Sequence, residues 1–196
     1  MVELATRPAA YNDLEAVPEN LVAEIIEGVL ETHPRPRPRH ARAANRLSAE
    51  LIFRFERGRG GPGGWVFIEE PELHLGRHVV VPDLAGWRAG RLSAEPDDAF
   101  IKIAPDWVCE VLSASTARLD RGAKRRIYAE AGVGHLWLLD PSEGTLEAFA
   151  LSDRHWLLLG TMQRGEEVQA APFEAASFPL DDLFPFDTPP SSATEV

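Results

Sequence analysis

A single cysteine, Cys109, stands in the 196 residues, which excludes a disulfide framework and a cysteine-ligated zinc cluster and fits a reducing compartment. No apolar run approaches the roughly 20 residues that cross a bilayer. The opening stretch MVELATRPAAYNDLEAVPEN has no basic start followed by an apolar core, so it does not read as a secretory leader. A soluble, cytoplasmic protein with no membrane association is the expectation. Also missing are a G-x-S-x-G elbow, a P-loop and an H-E-x-x-H pair, and the six histidines show no ligand spacing. Lysine is nearly absent, with Lys102 and Lys124 the two present.

Hydrophobic residues make up 44 % of the chain and charged residues 26 %, enough for one domain with a real core and too short for two. A single domain over 1–184 is expected, with a flexible Pro/Ser-rich acidic tail over 185–196. The net charge of −11 argues against non-specific coating of nucleic acid, but the charge is uneven. Between Arg35 and Arg59 there are eight arginines against Glu50 and Glu56, a local balance of +6. Such asymmetry marks a candidate polyanion surface, with Arg35, Arg37, Arg39 and Arg42 as the candidate nucleic-acid contacts. A solvated arginine-rich helix accounts for the same residues equally well.

Periodicity predicts a short helix over 10–17 and a hairpin over 22–33 that turns at Glu27-Gly28. Ala44, Leu47, Leu51 and Phe55 recur at helical spacing within a long helix over 40–57. GRGGPGG (58–64) formally matches G-x-G-x-x-G, but it follows a helix and precedes a strand, the reverse of a dinucleotide site. WVFIEE, ELHLG and HVVVPDLAGW read as strands, DWVCEVL as a central strand, and 120–131 as a second helix. HLWLLD continues the sheet, and TLEAFAL and HWLLLG read as antiparallel additions. The fold class is mixed α/β.

Three residues then stand out. Glu110 lies between Val108 and Leu112 on one side of the pleat, an expensive place for a carboxylate. Asp83 follows Val-Val-Val-Pro at a strand end, where Pro82 implies an edge or a bulge; Pro-Asp is also an ordinary turn pair. On the second helix, Lys124 shares the apolar stripe of Ala123, Ile127 and Ala131, so its ammonium faces the core. A structural ion pair with Asp120 or Glu110 would satisfy it, and Asp120 could also cap the helix. Two carboxylates at strand ends with one inward lysine also form a coherent site for Mg²⁺ or Mn²⁺, hard cations that keep waters and accept phosphate oxygens.

The order of an acidic hairpin, a histidine at a helix start, Pro-Asp, and then PDWVCEVLSASTARLDRGAKRRIYAEAGVGHLWLLDP resembles the Uma2 (Uma two) family of restriction-endonuclease-like proteins, within the PD-(D/E)XK nuclease superfamily. The resemblance spans roughly 10–160 and is densest over 105–141. It implies a restriction-endonuclease-like core: a mixed central sheet flanked by helices, with an N-terminal hairpin and C-terminal antiparallel strands. It further implies metal-dependent hydrolysis of phosphodiester bonds, in DNA rather than RNA. Asp83 and Glu110 would be metal ligands, joined by the Val111 carbonyl, and Lys124 would be the catalytic lysine. Glu24 or Glu27 would be accessory, with Glu24 preferred; Tyr128 could reach the site or simply pack, and His40 could contact phosphate or be structural. The superfamily's usual lysine, two residues after the glutamate, is replaced here by Leu112. A homodimer would suit cleavage of both strands. A non-catalytic nucleic-acid-binding or regulatory module on the same fold, and a purely structural ion network, are the alternatives.

Overall fold

Turn chemistry sets the first boundaries of the structure, a computed structural model that describes residues 7–184, save Ser93 and Glu95, together with Phe186. Phe186 apart, the tail expected over 185–196 lies outside the described residues. A short helix α1 (Tyr11–Glu15) leads to β1 (Leu21–Ile26) and β2 (Val29–Pro34). Glu27 and Gly28 join the two strands with φ of 52° and 81°, the left-handed pair that a two-residue hairpin needs. Glu24 therefore lies opposite Glu31. Helix α2 (Pro38–Leu51) starts two residues before the expected His40, because proline at the first helical position forfeits no hydrogen bond. It runs on through a π-helical turn, Ile52–Glu56.

β3 (Trp65–Glu69), β4 (Leu73–Leu75), β5 (His78–Val80) and β6 (Leu84–Arg88) follow. The run HVVVPDLAGW is thus split between two sheets. β5 pairs with β1 in a four-stranded antiparallel sheet ordered β2-β1-β5-β4, whereas β6 belongs to a six-stranded sheet. Pro82, with no N–H to give a ladder, sits where the chain leaves one sheet for the other.

β7 (Trp107–Val111), α3 (Ala117–Leu119), a π-helical turn (Asp120–Lys124), α4 (Arg125–Glu130) and β8 (His135–Asp140) form a β-helix-β unit. β7 and β8 run parallel, and the other ladders of that sheet are antiparallel. The second helix begins at Ala117 rather than Asp120. Thr116 occupies its N-cap position, so Asp120 is not the cap that the sequence left open. β9 (Thr145–Ser152) and β10 (His155–Gln163) complete the order β10-β9-β8-β7-β6-β3. The mixed central sheet, N-terminal hairpin and C-terminal antiparallel strands are those expected. Among the described residues no helix is long and apolar enough to cross a membrane.

β7 is buried at all five positions, as a strand covered on both faces must be. Trp107, Cys109 and Val111 face one core, closed by Ala43, Leu47, Leu51 and Phe55 from α2 and its π turn. Val108 and Leu112 face the other, built with Ile127 and Tyr128 of α4 and with Ile26, Leu73 and Val80 of the smaller sheet. Glu110 projects to this second side. Phe173, outside any regular element, plugs the first core: its ring meets Phe55, Trp65, Phe67, Trp107 and Trp137 at centroid distances of 4.8–5.6 Å. Truncation to Phe173→Ala is expected to cost about 3–5 kcal/mol, as for other buried phenylalanines. Urea unfolding checks this; a loss below about 1 kcal/mol would show that the ring is dispensable.

Candidate functional site

Strand register brings the two carboxylates together. Leu84 pairs with Cys109 across β6 and β7, so Asp83, one residue earlier, stands across from Glu110. Asp83 Oδ2 accepts the Val111 N–H at 2.7 Å, which carries the pairing one step past the ladder. Its Oδ1 lies 3.3 Å from His40 Nε2, at the start of α2. Burial disfavours the charged imidazole of His40, but the Asp83 carboxylate more than offsets this and raises its pKa.

The cation arrives from the helix. Lys124 Nζ is 2.8 Å from Glu110 Oε1, 3.0 Å from Glu24 Oε1 and 3.6 Å from Asp120 Oδ1. It also reaches the Val81 carbonyl at 3.4 Å. Lys124 and all three acids are at most 3 % exposed. The π-helical turn Asp120–Lys124 places the acid and the ammonium at its two ends in one buried cluster with Glu24 and Glu110; such turns recur at functional sites. Tyr128, one turn further on, donates its hydroxyl hydrogen bond to Glu110 Oε1. Glu24 comes from the smaller sheet and accepts the Val81 N–H at 2.8 Å. Lys124 therefore joins both sheets and the helix.

One ammonium faces three buried carboxylates, and the charges do not balance. Burial pushes the Glu110 carboxyl well above the ordinary glutamate range, with Lys124 opposing and Asp120 and Asp83 adding to the rise. Asp120 is raised for the same leading reason. Burial acts to lower the Lys124 pKa, but Glu110 and Glu24 outweigh it and hold the ammonium charged. Glu24 is the exception among the acids: despite its burial, Lys124, His33 and the Val81 amide hold it down at about 2.

Asp83, Glu110, Asp120 and Lys124 line one cavity of about 640 Å³, with His40 and Arg37 also on its wall. Of the two acidic hairpin positions, Glu24 joins the network. Glu27 does not: it occupies the turn, where it is exposed and pairs with Arg126 at 2.9 Å. Arg35, Arg37 and Arg39 line the cavity, whereas Arg42 is exposed and places its guanidinium over the Phe186 ring.

His33 is a site residue that the sequence reading missed. Its Nε2 lies 3.4 Å from Glu24 Oε2, and the hydrogen bond to Glu24 raises its pKa. A signal was there. A two-residue turn at Glu27-Gly28 puts His33 opposite Val22, on the face that carries Glu24, within diagonal reach across the hairpin. The Val81 backbone and the Ser113–Thr116 loop, which also lines the cavity, carried no such signal.

The donor chemistry fits a hard divalent cation. Asp83 and Glu110 present carboxylate oxygens to one cavity, and no soft ligand faces it. Among the described residues no group of three His, Cys, Asp or Glu is arranged to hold a metal. The set therefore suits an ion that takes part of its shell from water and substrate rather than one held in a closed cage.

The model of the Uma2 family, described as "Putative restriction endonuclease", matches residues 8–181. A crystal structure from Anabaena variabilis ATCC 29413, described as a "putative nuclease belonging to DUF820", shares the fold at a TM-score of 0.71 and 21 % identity. The alignment covers 91 % of this chain and 98 % of that one. No curated protein matches the chain significantly.

Loss of the central cation should unbalance the network. Removing one partner of a buried pair typically costs about 3–5 kcal/mol, and Lys124→Ala is expected to fall in that range at neutral pH. The pH dependence has a definite sign. Glu24 titrates at about 2 in the folded chain against an ordinary 4.5, so its contribution is complete above the ordinary value and is lost as pH falls through the folded one. The gap between native and variant in urea midpoints should be widest above pH 4.5 and should close toward pH 2. A gap that widens on acidification would contradict the assigned network.

Proposed function

This chain belongs to the Uma2 family, and we propose that it is a metal-dependent endonuclease that hydrolyses phosphodiester bonds, with DNA rather than RNA as substrate. The observation that carries the reading is the convergence of Asp83, Glu110 and Lys124 from β6, β7 and the crossover helix on one cavity. Leu112 holds the place where the superfamily's lysine usually stands, and Lys124 delivers its ammonium to Glu110 from the helix instead.

In this reading Asp83 and Glu110, with the Val111 carbonyl, hold Mg²⁺ or Mn²⁺. Such an ion supplies Lewis acidity and lowers the pKa of water near a phosphodiester. Lys124 supplies positive charge where negative charge builds on the phosphoryl oxygens. Glu24, Asp120 and Tyr128 are positioning residues: the two acids hold Lys124 charged, and the Tyr128 hydroxyl fixes the Glu110 carboxylate. His40 steadies Asp83 through its Oδ1. Arg35, Arg37 and Arg39 on the cavity wall attract the polyanion.

A second reading, a non-catalytic nucleic-acid-binding or regulatory module, has one observation in its favour. Glu110 Oε1 already receives both Lys124 and Tyr128, so the acid is satisfied without a metal ion. The two readings part on turnover. Mg²⁺- or Mn²⁺-dependent cleavage of single-stranded, duplex or branched DNA is expected from the native protein, abolished by chelator. It should fall by at least about 100-fold in Asp83→Asn, the scale of losing one transition-state group, while the variant keeps its circular dichroism spectrum. Cleavage untouched by Asp83→Asn, or absent on every substrate, sinks the nuclease reading.

A further inference from the structure

From the end of β2 into the first turn of α2 the chain reads Pro34-Arg35-Pro36-Arg37-Pro38-Arg39, flanked by His33 and His40. Proline fixes its own φ and confines the residue before it to extended backbone. Arg35 and Arg37 each precede a proline, so the strap has little freedom to lose on binding. Arg37 sits at φ −71° and ψ 157°, the polyproline II geometry. At a rise of about 3.1 Å per residue, Arg35 and Arg37 stand about 6 Å apart along the strap, and Arg39 follows in the first turn of α2.

This strap forms one wall of the cavity that Asp83, Glu110 and Lys124 also line. Its arginines differ in what else they hold. Arg35 donates to the Glu19 carbonyl at 2.9 Å and stands 3.7 Å from Glu70. Arg39 reaches the Pro141 carbonyl at 3.4 Å. Arg37 is exposed, and no hydrogen bond or ion pair engages its guanidinium among the described residues. The row is therefore anchored at both ends and open in the middle.

Two further features narrow the ligand. A cavity of about 640 Å³ has the size of a small-ligand pocket, and Glu110 and Lys124 within it are almost wholly buried. A paired duplex is too wide to lower its backbone into such a recess, whereas one unpaired strand can enter. The wall also carries no Phe, Tyr or Trp, so bases find none of the stacking platforms that single-strand binders use to hold them. Guanidinium groups facing an anionic chain are what remains.

We propose that the strap 34–39 is the substrate-selecting element of this chain: it seats one unpaired polynucleotide strand, its three arginines against successive phosphates, and reads backbone rather than base. The inference deepens the nuclease reading and rests on it for its purpose, but the binding itself can be tested without turnover.

The experiment measures fluorescence anisotropy of a labelled short oligothymidine, and of a hairpin duplex of equal charge, with the full chain in chelator across a salt series. Native protein should bind the single strand at least about tenfold more tightly than the duplex, a difference of about 1.4 kcal/mol. A mixed-base single strand should bind as tightly as oligothymidine. Replacing Arg35, Arg37 and Arg39 by Gln should lower the log–log salt slope by about 2, since each single-strand phosphate contact contributes about 0.7. The charge-matched triple Gln variant of Arg57, Arg59 and Arg154, which lie off the cavity, should keep the native slope. Equal or tighter duplex binding, a strong base preference, or an unchanged slope in the strap variant would overturn the proposal. Cleavage by native protein accompanied by any of those results would leave the nuclease reading standing and remove this one; single-strand binding without cleavage on any substrate would do the reverse.

Discussion

The structure turns on one ammonium group. Lys124 is the cation at the seam where the four-stranded sheet, the six-stranded sheet and the crossover helix meet, and it contacts a carboxylate from each: Glu24, Glu110 and Asp120. A charge buried this deeply is costly unless paired, and a pair so buried contributes little net stability over well-packed apolar groups. What it does provide is position. Any slip of helix against sheet would strand a buried carboxylate, so the ion network penalises every register except the observed one.

That same constraint sets the chemistry. Three acids crowd one lysine; burial raises the pKa of Glu110 and Asp120, and the neighbouring carboxylates add to the rise. Asp83 adds a fourth carboxylate at the edge of the cavity, held by His40 and the Val111 amide. A fold that merely needed an ion pair could have used one acid. The surplus is what a divalent cation and an arriving phosphate would neutralise between them, which links the packing of the helix to the proposed hydrolysis. The arginine strap stands on the opposite side of that balance, positive where the floor is negative.

Much of this was legible in the residues, for identifiable reasons. β7 reads as a central strand because its apolar residues leave no polar face, and Glu110 stands out as the one exception. The inward course of Lys124 follows from helical spacing, and a π turn in place of an α turn did not move it off the core-facing side. Three features were not legible. The division of HVVVPDLAGW depends on which sheet each half joins, a long-range choice that local pattern cannot encode. The choice of Glu24 over Glu27 depends on which face of the hairpin meets the second sheet, and Glu27 is spent in the turn. Phe173 sits in an irregular segment with no periodicity, and its burial arises from the ring cluster around it.

Calorimetric titration of Mn²⁺ into the full chain near neutral pH tests the charge-deficit account most directly. The account expects one binding event, because the carboxylates gathered around Lys124 leave negative charge for the ion to meet. It also expects the event to vanish in Asp83→Asn. No heat of binding, or a heat unchanged in Asp83→Asn, would contradict it.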